Sequence, residues 1–431
     1  MVRLLALFLC AGLGCSYDPR VASEIPDPDG PPAPCATLGP SCQGATTLLS
    51  CSVIGELPVP TECPWGCLET PARCGHLNPF GGGATTTDLD ALEALGDVTL
   101  SDAEITGDDG VITNASNTNF THELRGPSDS IAVFRFRRLT ISGDLRLRGT
   151  KSIVLIADEE LTVNGIIDAR GPCGIGDDAT GPGPGGFAGG LASQGAGLGP
   201  GGTAGGASNA GGGGGGNGGA GGRGGNSTTD NAGGPLGDAA ISILRGGGGG
   251  SAGGGGGGFG RGGGGGGALQ LISNTAVVFV AGSGINAGGC GGDGDSGGGP
   301  DGGGGGGAGG TILIEAPQIS GTSTLAVNGG AGGSGGEGIG DTGEAGKLSL
   351  VAAIGQPGGG AAGAGGNGAA AAVLVGAPGI SVTNQDGGGG GGGIGRIRFN
   401  TRTGTISLIG DMSPSLTDVP TTASSEIARI E

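Results

Sequence analysis

The chain has 431 residues, 116 of them Gly and 24 Pro, with 19 Lys plus Arg against 38 Asp plus Glu, a formal charge of −19. That acidity excludes the basic footprint of a nucleic-acid-binding protein, and glycine without a strict three-residue period excludes collagen. Charged residues at 13% are too few for a charge-swollen disordered chain, and hydrophobic residues at 35% are few for an ordinary globular one.

Residues 1–14 combine one Arg with an apolar stretch from Leu4 to Leu13 and then small residues. This predicts a secretory signal peptide, too short to span a bilayer as a helix. Residues 15–34 hold six prolines and four acids and read as an extended, solvated tether.

Residues 35–76 form the next module. Cys35, Cys42, Cys51, Cys63, Cys67 and Cys74 fall within 40 residues, which in an exported chain predicts three disulfides of open connectivity. A zinc site around Cys63-Pro-Trp-Gly-Cys67 and His76 is the weaker alternative, because no second closely spaced pair accompanies it. Residues 77–130 read as a polar connecting segment with short strands.

Internal repetition dominates residues 131–410, the expected glycine-rich β-repeat domain. SIVLIAD (152–158) with LTVNGIIDARG (161–171) matches GALQLIS (267–273) with VFVAGSGINAGG (278–289), and TILIEAP (311–317) with STLAVNGGAGG (323–333). Weaker copies are KLSLVAA (347–353), residues 371–388 and residues 396–410, and an upstream copy at 134–149 has no glycine insert. Alternating Val, Ile and Leu predict strands with one buried face. A unit this small must stack on its neighbours, and a glycine tract enters each unit at the same point. The fold class expected is all-β: a β-solenoid resembling a right-handed β-helix, with a β-sandwich carrying glycine-rich loops as the alternative. Residues 411–431 read as a tail.

Ninety-six of the glycines lie in residues 171–395. They form either flexible low-complexity loops or packed threefold helices of the polyglycine II type, which satisfy N–H and C=O between neighbouring tracts. The second arrangement is favoured because the tracts carry few charges and are held by strands at both ends. Cys173 and Cys290 open successive inserts at equivalent places, so stacking would bring them together as a fourth disulfide.

Catalytic and cofactor signatures are sparse. His76 and His122 have no partners for a triad or metal shell and read as surface residues. GxGxxG recurs by chance, and Gly346-Lys347 lacks the rest of a phosphate loop. Asp293, Asp295 and Asp301 are spaced wrongly for a regular calcium roll and allow only incidental calcium. No cofactor and no metal are expected. Asp158, Glu159 and Glu160 form the densest acidic cluster, yet they occupy one turn instead of converging across a cleft. Arg135, Arg137, Arg146 and Arg148 alternate with apolar residues, and are read as a solvated face or as a contact for anionic glycan or lipid headgroups.

Three resemblances add to this reading. Gly12-Leu13-Gly14-Cys15 resembles a bacterial lipobox, with Gly12 where Leu is usual; it implies acylation of Cys15 and a membrane anchor, against ordinary cleavage that leaves a free thiol. The glycine tracts are similar to the glycine-helix tips of some phage tail-fibre adhesins. The signal, the CPWGC…CGHLNP head and the NGxxxAxGG units together resemble glycine-rich surface lipoproteins of myxobacteria, sometimes called PE-PGRS-like, although no PE domain is present. The resemblance implies an exported, lipid-anchored protein of the outer membrane or cell surface. The function expected is non-catalytic, structural or adhesive, with polysaccharide, another cell or a second copy as partner. A β-helix lyase or hydrolase acting on acidic polysaccharide is the alternative, and ice or hydration-surface binding a distant third.

Overall fold

The computed structural model describes residues 33–79, 82–90, 96–125, 130–199, 209–336, 340–383, 385–417 and 422–431. The signal segment, Cys15 and nearly all of the tether lie outside the described residues. The chain divides into a smaller unit ending at Gly75 and a larger unit, His76–Glu431.

In the smaller unit, Gly39–Gln43, Thr47–Cys51 and Val59–Glu62 form an antiparallel sheet, and Cys67–Glu69 pairs with Ala72–Cys74. Disulfides join Cys35 to Cys51, Cys42 to Cys67 and Cys63 to Cys74. All six cysteines are therefore bonded, which removes Cys63 and Cys67 as zinc ligands. Among the described residues the buried side chains are Pro58, Trp65 and the half-cystines Cys35 and Cys63, so sulfur bridges stand in for the core that so short a chain cannot build.

The larger unit is nearly all-β, with two short helices among the described residues, Thr86–Asp90 and Asp177–Thr180. Strands Ile131–Phe136, Arg138–Ile141 and Leu145–Arg148 carry Ser152–Ala157, Leu161–Val163 and Ile166–Asp168 on them, parallel and in register. Ala268–Ser273 and Ala276–Asn286 follow, then Thr311–Glu315 and Gln318–Ala326, then Arg396–Thr401, Ser407–Ile409 and Met412–Ser413, each parallel to the repeat before it. Three ladders result. The first is a seven-stranded sheet ending in Ala423–Ile427 on one side and the antiparallel strand Thr121–Arg125 on the other. Asp97–Leu100 and Ala103–Thr106 provide the first rungs of the other two. The stack thus extends beyond residues 131–410 in both directions, taking in part of the expected connecting segment and part of the expected tail.

Period-two alternation explains the interior. Phe134, Leu155, Leu271, Ile314 and Phe399 occupy one rung line, are fully buried and belong to a single core cluster. Each such side chain contributes about 2 kcal/mol by burial. The opposite face of this sheet differs from expectation, because it too is buried. Gln270, Glu315, Arg398 and Asn400 lie there at 0–3% exposure. Gln270 Nε2 donates to Glu315 Oε2 at 2.6 Å, Asn400 Nδ2 to Glu315 Oε1 at 2.7 Å and Arg398 Nε to Asn400 Oδ1 at 2.9 Å. The cover is the chain itself: the Ala84 N–H donates to Gln270 Oε1 at 2.9 Å, and Arg135 grips the carbonyls of Asp88 and Leu89. Residues 76–78 are bonded antiparallel to 429–431, which ties the start of the unit to its end.

The glycine tracts leave the third ladder side by side, with Ala169 N–H donating to Asn286 O and Ala287 N–H to Ala326 O. They then pack on one another. In tract 387–395, Gly387, Gly390 and Gly393 donate to Asn209, Gly212 and Gly215. Gly388, Gly391 and Ile394 donate to Ile380, Ala377 and Leu374, and Gly389, Gly392 and Gly395 to Gly333, Gly330 and Val327. Its carbonyls accept with the same period of three from Gly303, Gly306 and Gly309, from Gly225, Gly222 and Gly219, and from Gly366 and Ala369. Glycine is required by the close approach: a Cβ on Gly389, Gly392 or Gly395 would lie 1.9–2.0 Å from the carbonyl oxygens of Gly304, Gly307 and Gly310.

The weaker copies at 347–353 and 371–388 are not strands. They lie against the glycine tracts instead, Gly368 N–H donating to Ala353 O and Ala377 N–H to Asn367 O. Their alternation is real, but no earlier repeat presents an edge for them to pair with, and Leu350, Val351, Val373 and Val375 stay exposed.

Candidate binding cleft

At one end of the glycine tracts, four separate segments enclose a cleft of about 410 Å³ lined by Ile175, Phe259, Arg261, Asp293, Asp341 and Thr342 among others. Its size falls within the range of small-molecule sites, about 300–1,000 Å³. Each wall has an identifiable support. The turn that presents Phe259 and Arg261 is held by Asp301, whose Oδ1 accepts the Gly256 N–H at 2.6 Å and Oδ2 the Gly258 N–H at 2.8 Å. Asp293 ends the tract that begins at Ala287. The loop carrying Ile175 is fixed to that tract by the Cys173–Cys290 disulfide, with Cα atoms 4.8 Å apart.

Asp293 closes the floor. Its Oδ2 accepts the Gly176 N–H at 2.9 Å and its Oδ1 the Thr342 hydroxyl at 3.3 Å, which joins three segments through one carboxyl. The residue is 7% exposed. Burial pushes its pKa up to about 6, against the pull of the Gly176 N–H, Thr342 and Arg261. Arg261 pairs at the rim with the exposed Asp177 at 3.2 Å. Asp341 is exposed, so acids outnumber cations around the opening. Ile175 is 79% exposed and Phe259 is half-buried, leaving an apolar wall beside polar ones.

The residues singled out from the sequence lie elsewhere or act differently. Asp295 Oδ1 accepts the Gly297 N–H at 2.8 Å, and Asp301 is occupied as described. Among the described residues no three acids, histidines or cysteines converge as metal ligands. The four arginines do not form one patch. Arg135 is 4% exposed and bonds Asp158 Oδ1 through Nε at 2.9 Å and Nη2 at 2.7 Å. The strand ends at Phe136, so Arg137 sits at the corner with Asp97 and Glu159, at 2.5 and 3.2 Å. Arg148 donates to the Leu147 and Arg170 carbonyls. Arg146 is exposed, in register with Glu104 and Asp168. Burial of Arg135 takes it off any surface that could meet an anionic ligand.

The acidic cluster is likewise engaged. Burial raises the pKa of Asp158 against the pull of Arg135, Glu159 pairs with Arg137 and Arg138, and Glu160 accepts from Thr162 at 2.9 Å. His122, read as a surface residue, is partly exposed: it packs on Phe134 with ring centroids 4.7 Å apart, and burial lowers its pKa.

Sequence reasoning missed Phe259, Arg261 and Thr342. The available signal was that Phe259 and Arg261 alone interrupt an otherwise small-residue stretch from Gly246 to Gly267. No family model, no curated protein and no solved structure matches this chain. Among the described residues no helix is long and apolar enough to cross a membrane.

Proposed function

We propose that this chain is an exported, lipid-anchored envelope protein with a structural or adhesive role and no catalytic one. In this reading the three ladders are the faces of a β-solenoid, and the inserts form a polyglycine II block grown from one corner of it. The in-register parallel pairing supports a coil over a sandwich, whose facing sheets are characteristically antiparallel. The observation that carries the reading is the bonding of tract 387–395, which donates to three neighbouring tracts in rotation and accepts from three others. A block bonded in this way has few exposed backbone groups for a protease and little freedom to open locally. It suits display of a durable surface, and bracing by four disulfides suits an oxidising compartment. The engagement of Asp158, Glu159 and Glu160 by Arg135, Arg137, Arg138 and Thr162 supports the non-catalytic side of the proposal.

The test is proteinase treatment of intact cells that express the full chain, with release of peptides from residues 35–431 read by mass spectrometry. Release without lysis is the expected result, with the smaller unit cut before the glycine block. Protection until lysis would overturn the surface and adhesive reading and leave an internal envelope scaffold.

A further inference from the structure

We infer that the cleft between Ile175, Phe259 and Asp293 binds a pyranose sugar that carries no acidic group. This deepens the adhesive reading and rests on it for biological meaning, although the binding itself can be measured without it. Three properties of the cleft select this ligand class.

The first is its mixed wall. A pyranose ring has an apolar C–H face and an equatorial belt of hydroxyls. Phe259 and the exposed Ile175 offer an apolar surface to the former, where an aromatic ring gives large contact area at low entropy cost. Arg261 can donate to ring hydroxyls, while Asp341 and the Thr342 Oγ1, whose proton goes to Asp293, can accept from them. A purely apolar ligand would desolvate these polar groups without bonding them, and a compact inorganic ion would leave the aromatic wall unused.

The second is charge. Arg261 is already paired with Asp177, and Asp341 and Asp293 remain as acids on a chain of charge −19. Uronic acids and sulfated sugars would be brought against like charge, whereas neutral and amino sugars would not. The third is preorganisation. The Cys173–Cys290 bridge, the Asp301 clamp and the Asp293 carboxyl fix the walls to one another before any ligand arrives, which lowers the ordering cost of binding.

The experiment is saturation-transfer NMR on the purified, oxidised full chain with glucose, galactose, N-acetylglucosamine, glucosamine and glucuronate. At least one of the first four should show transfer and a dissociation constant in roughly the millimolar range usual for a single small ring. Glucuronate should bind at least about tenfold more weakly. Phe259→Ala should abolish transfer. Asp341→Asn, at an exposed rim position that the fold does not depend on, should weaken glucosamine more than glucose. No transfer from any of the four, glucuronate binding as tightly as they do, or transfer unchanged in both variants would each overturn the proposal. Cells that adhere while the purified chain ignores these sugars would sink the cleft and spare the adhesive role. Sugar binding by a chain that intact cells protect from protease would do the reverse.

Discussion

Gly389 and Gly298 separate a packed glycine block from a floppy one, because the two pictures give opposite signs for the same substitution. In a flexible loop, Gly→Ala reduces the entropy of the unfolded chain and stabilises by about 0.4–1 kcal/mol. Gly298 is such a position, since a Cβ there meets nothing within 4 Å. At Gly389 a Cβ would lie 1.9 Å from Gly304 O and 2.4 Å from Gly304 C, both backbone atoms. Reaching an ordinary contact needs a shift of roughly 1 Å or more between tracts, comparable to overpacking a core, which costs about 1–3 kcal/mol. That shift would also stretch the bonds from Gly389 to Gly333 and from Gly366 to Gly389, both 2.8 Å, at about 1 kcal/mol each. The combined loss is about 3–5 kcal/mol. The larger unit has roughly 350 residues, and at about 2.1 cal/mol/K per residue its unfolding entropy is about 0.75 kcal/mol/K. The expected fall in Tm for Gly389→Ala is therefore about 4–7 °C, against a rise of about 1 °C for Gly298→Ala. Differential scanning calorimetry of the two variants reads both. A Gly389→Ala protein as stable as the parent, or more so, would refute the packed-tract account.

Arg135→Ala leaves Asp158 buried without its partner and should cost about 3–5 kcal/mol, with faster amide exchange in the helix Thr86–Asp90, whose Asp88 and Leu89 carbonyls Arg135 holds; unchanged exchange there would contradict the clamp. Cys173→Ser with Cys290→Ser opens a loop of 117 residues, for which chain entropy gives an upper figure of about 4.7 kcal/mol, so the Tm should fall by up to about 6 °C. The folded pKa of Asp293 is raised to about 6 from 3.8, so its contribution to stability is full below about pH 4 and lost as pH rises through about 6. His122 runs the other way, its depressed pKa costing stability as pH falls below about 6.5. The Asp293 effect is therefore read as the difference between the parent and Asp293→Asn. The parent should lose stability relative to the variant between pH 4 and about 7, and a flat difference would show that Asp293 is solvated.

What the sequence made legible follows from what its patterns encode. Phe134, Leu155, Leu271, Ile314 and Phe399 could be aligned from sequence because a ladder repeats its apolar period on every rung. The position of Cys173 relative to Cys290 followed from the same alignment. The Gln270–Glu315–Asn400 network did not, since polar residues on alternate positions are what a half-solvated strand also shows. The distant segments around Ala84 and at 236–244 reveal that this face is covered. The cleft was hidden for a related reason. Phe259, Asp293 and Thr342 come from different inserts, and the length of a glycine tract carries no mark of where its tip will land.

The polar residues inside the tracts carry more information than their rarity suggests. Asn231 is 3% exposed. Its Oδ1 accepts the Gly224 N–H at 2.9 Å and its Nδ2 donates to Gly211 O at 3.1 Å. A side-chain amide there bonds two tracts as a peptide group of a further tract would. Asn217 Nδ2 donates to the consecutive Gly309 and Gly310 carbonyls of one tract, at 2.8 and 3.0 Å, and Ser251 Oγ accepts the Gly213 N–H at 2.7 Å. Buried backbone groups must be paired, and a lattice of tracts leaves some unpaired wherever a neighbouring tract turns away. At Gly224, Gly211 and Gly213, Asn and Ser side chains thus supply the bonds that a neighbouring backbone would otherwise make. On this reading Asn231→Gly, which removes no packing and suits a flexible tract, should still destabilise by about 1–3 kcal/mol through the two backbone groups it strands.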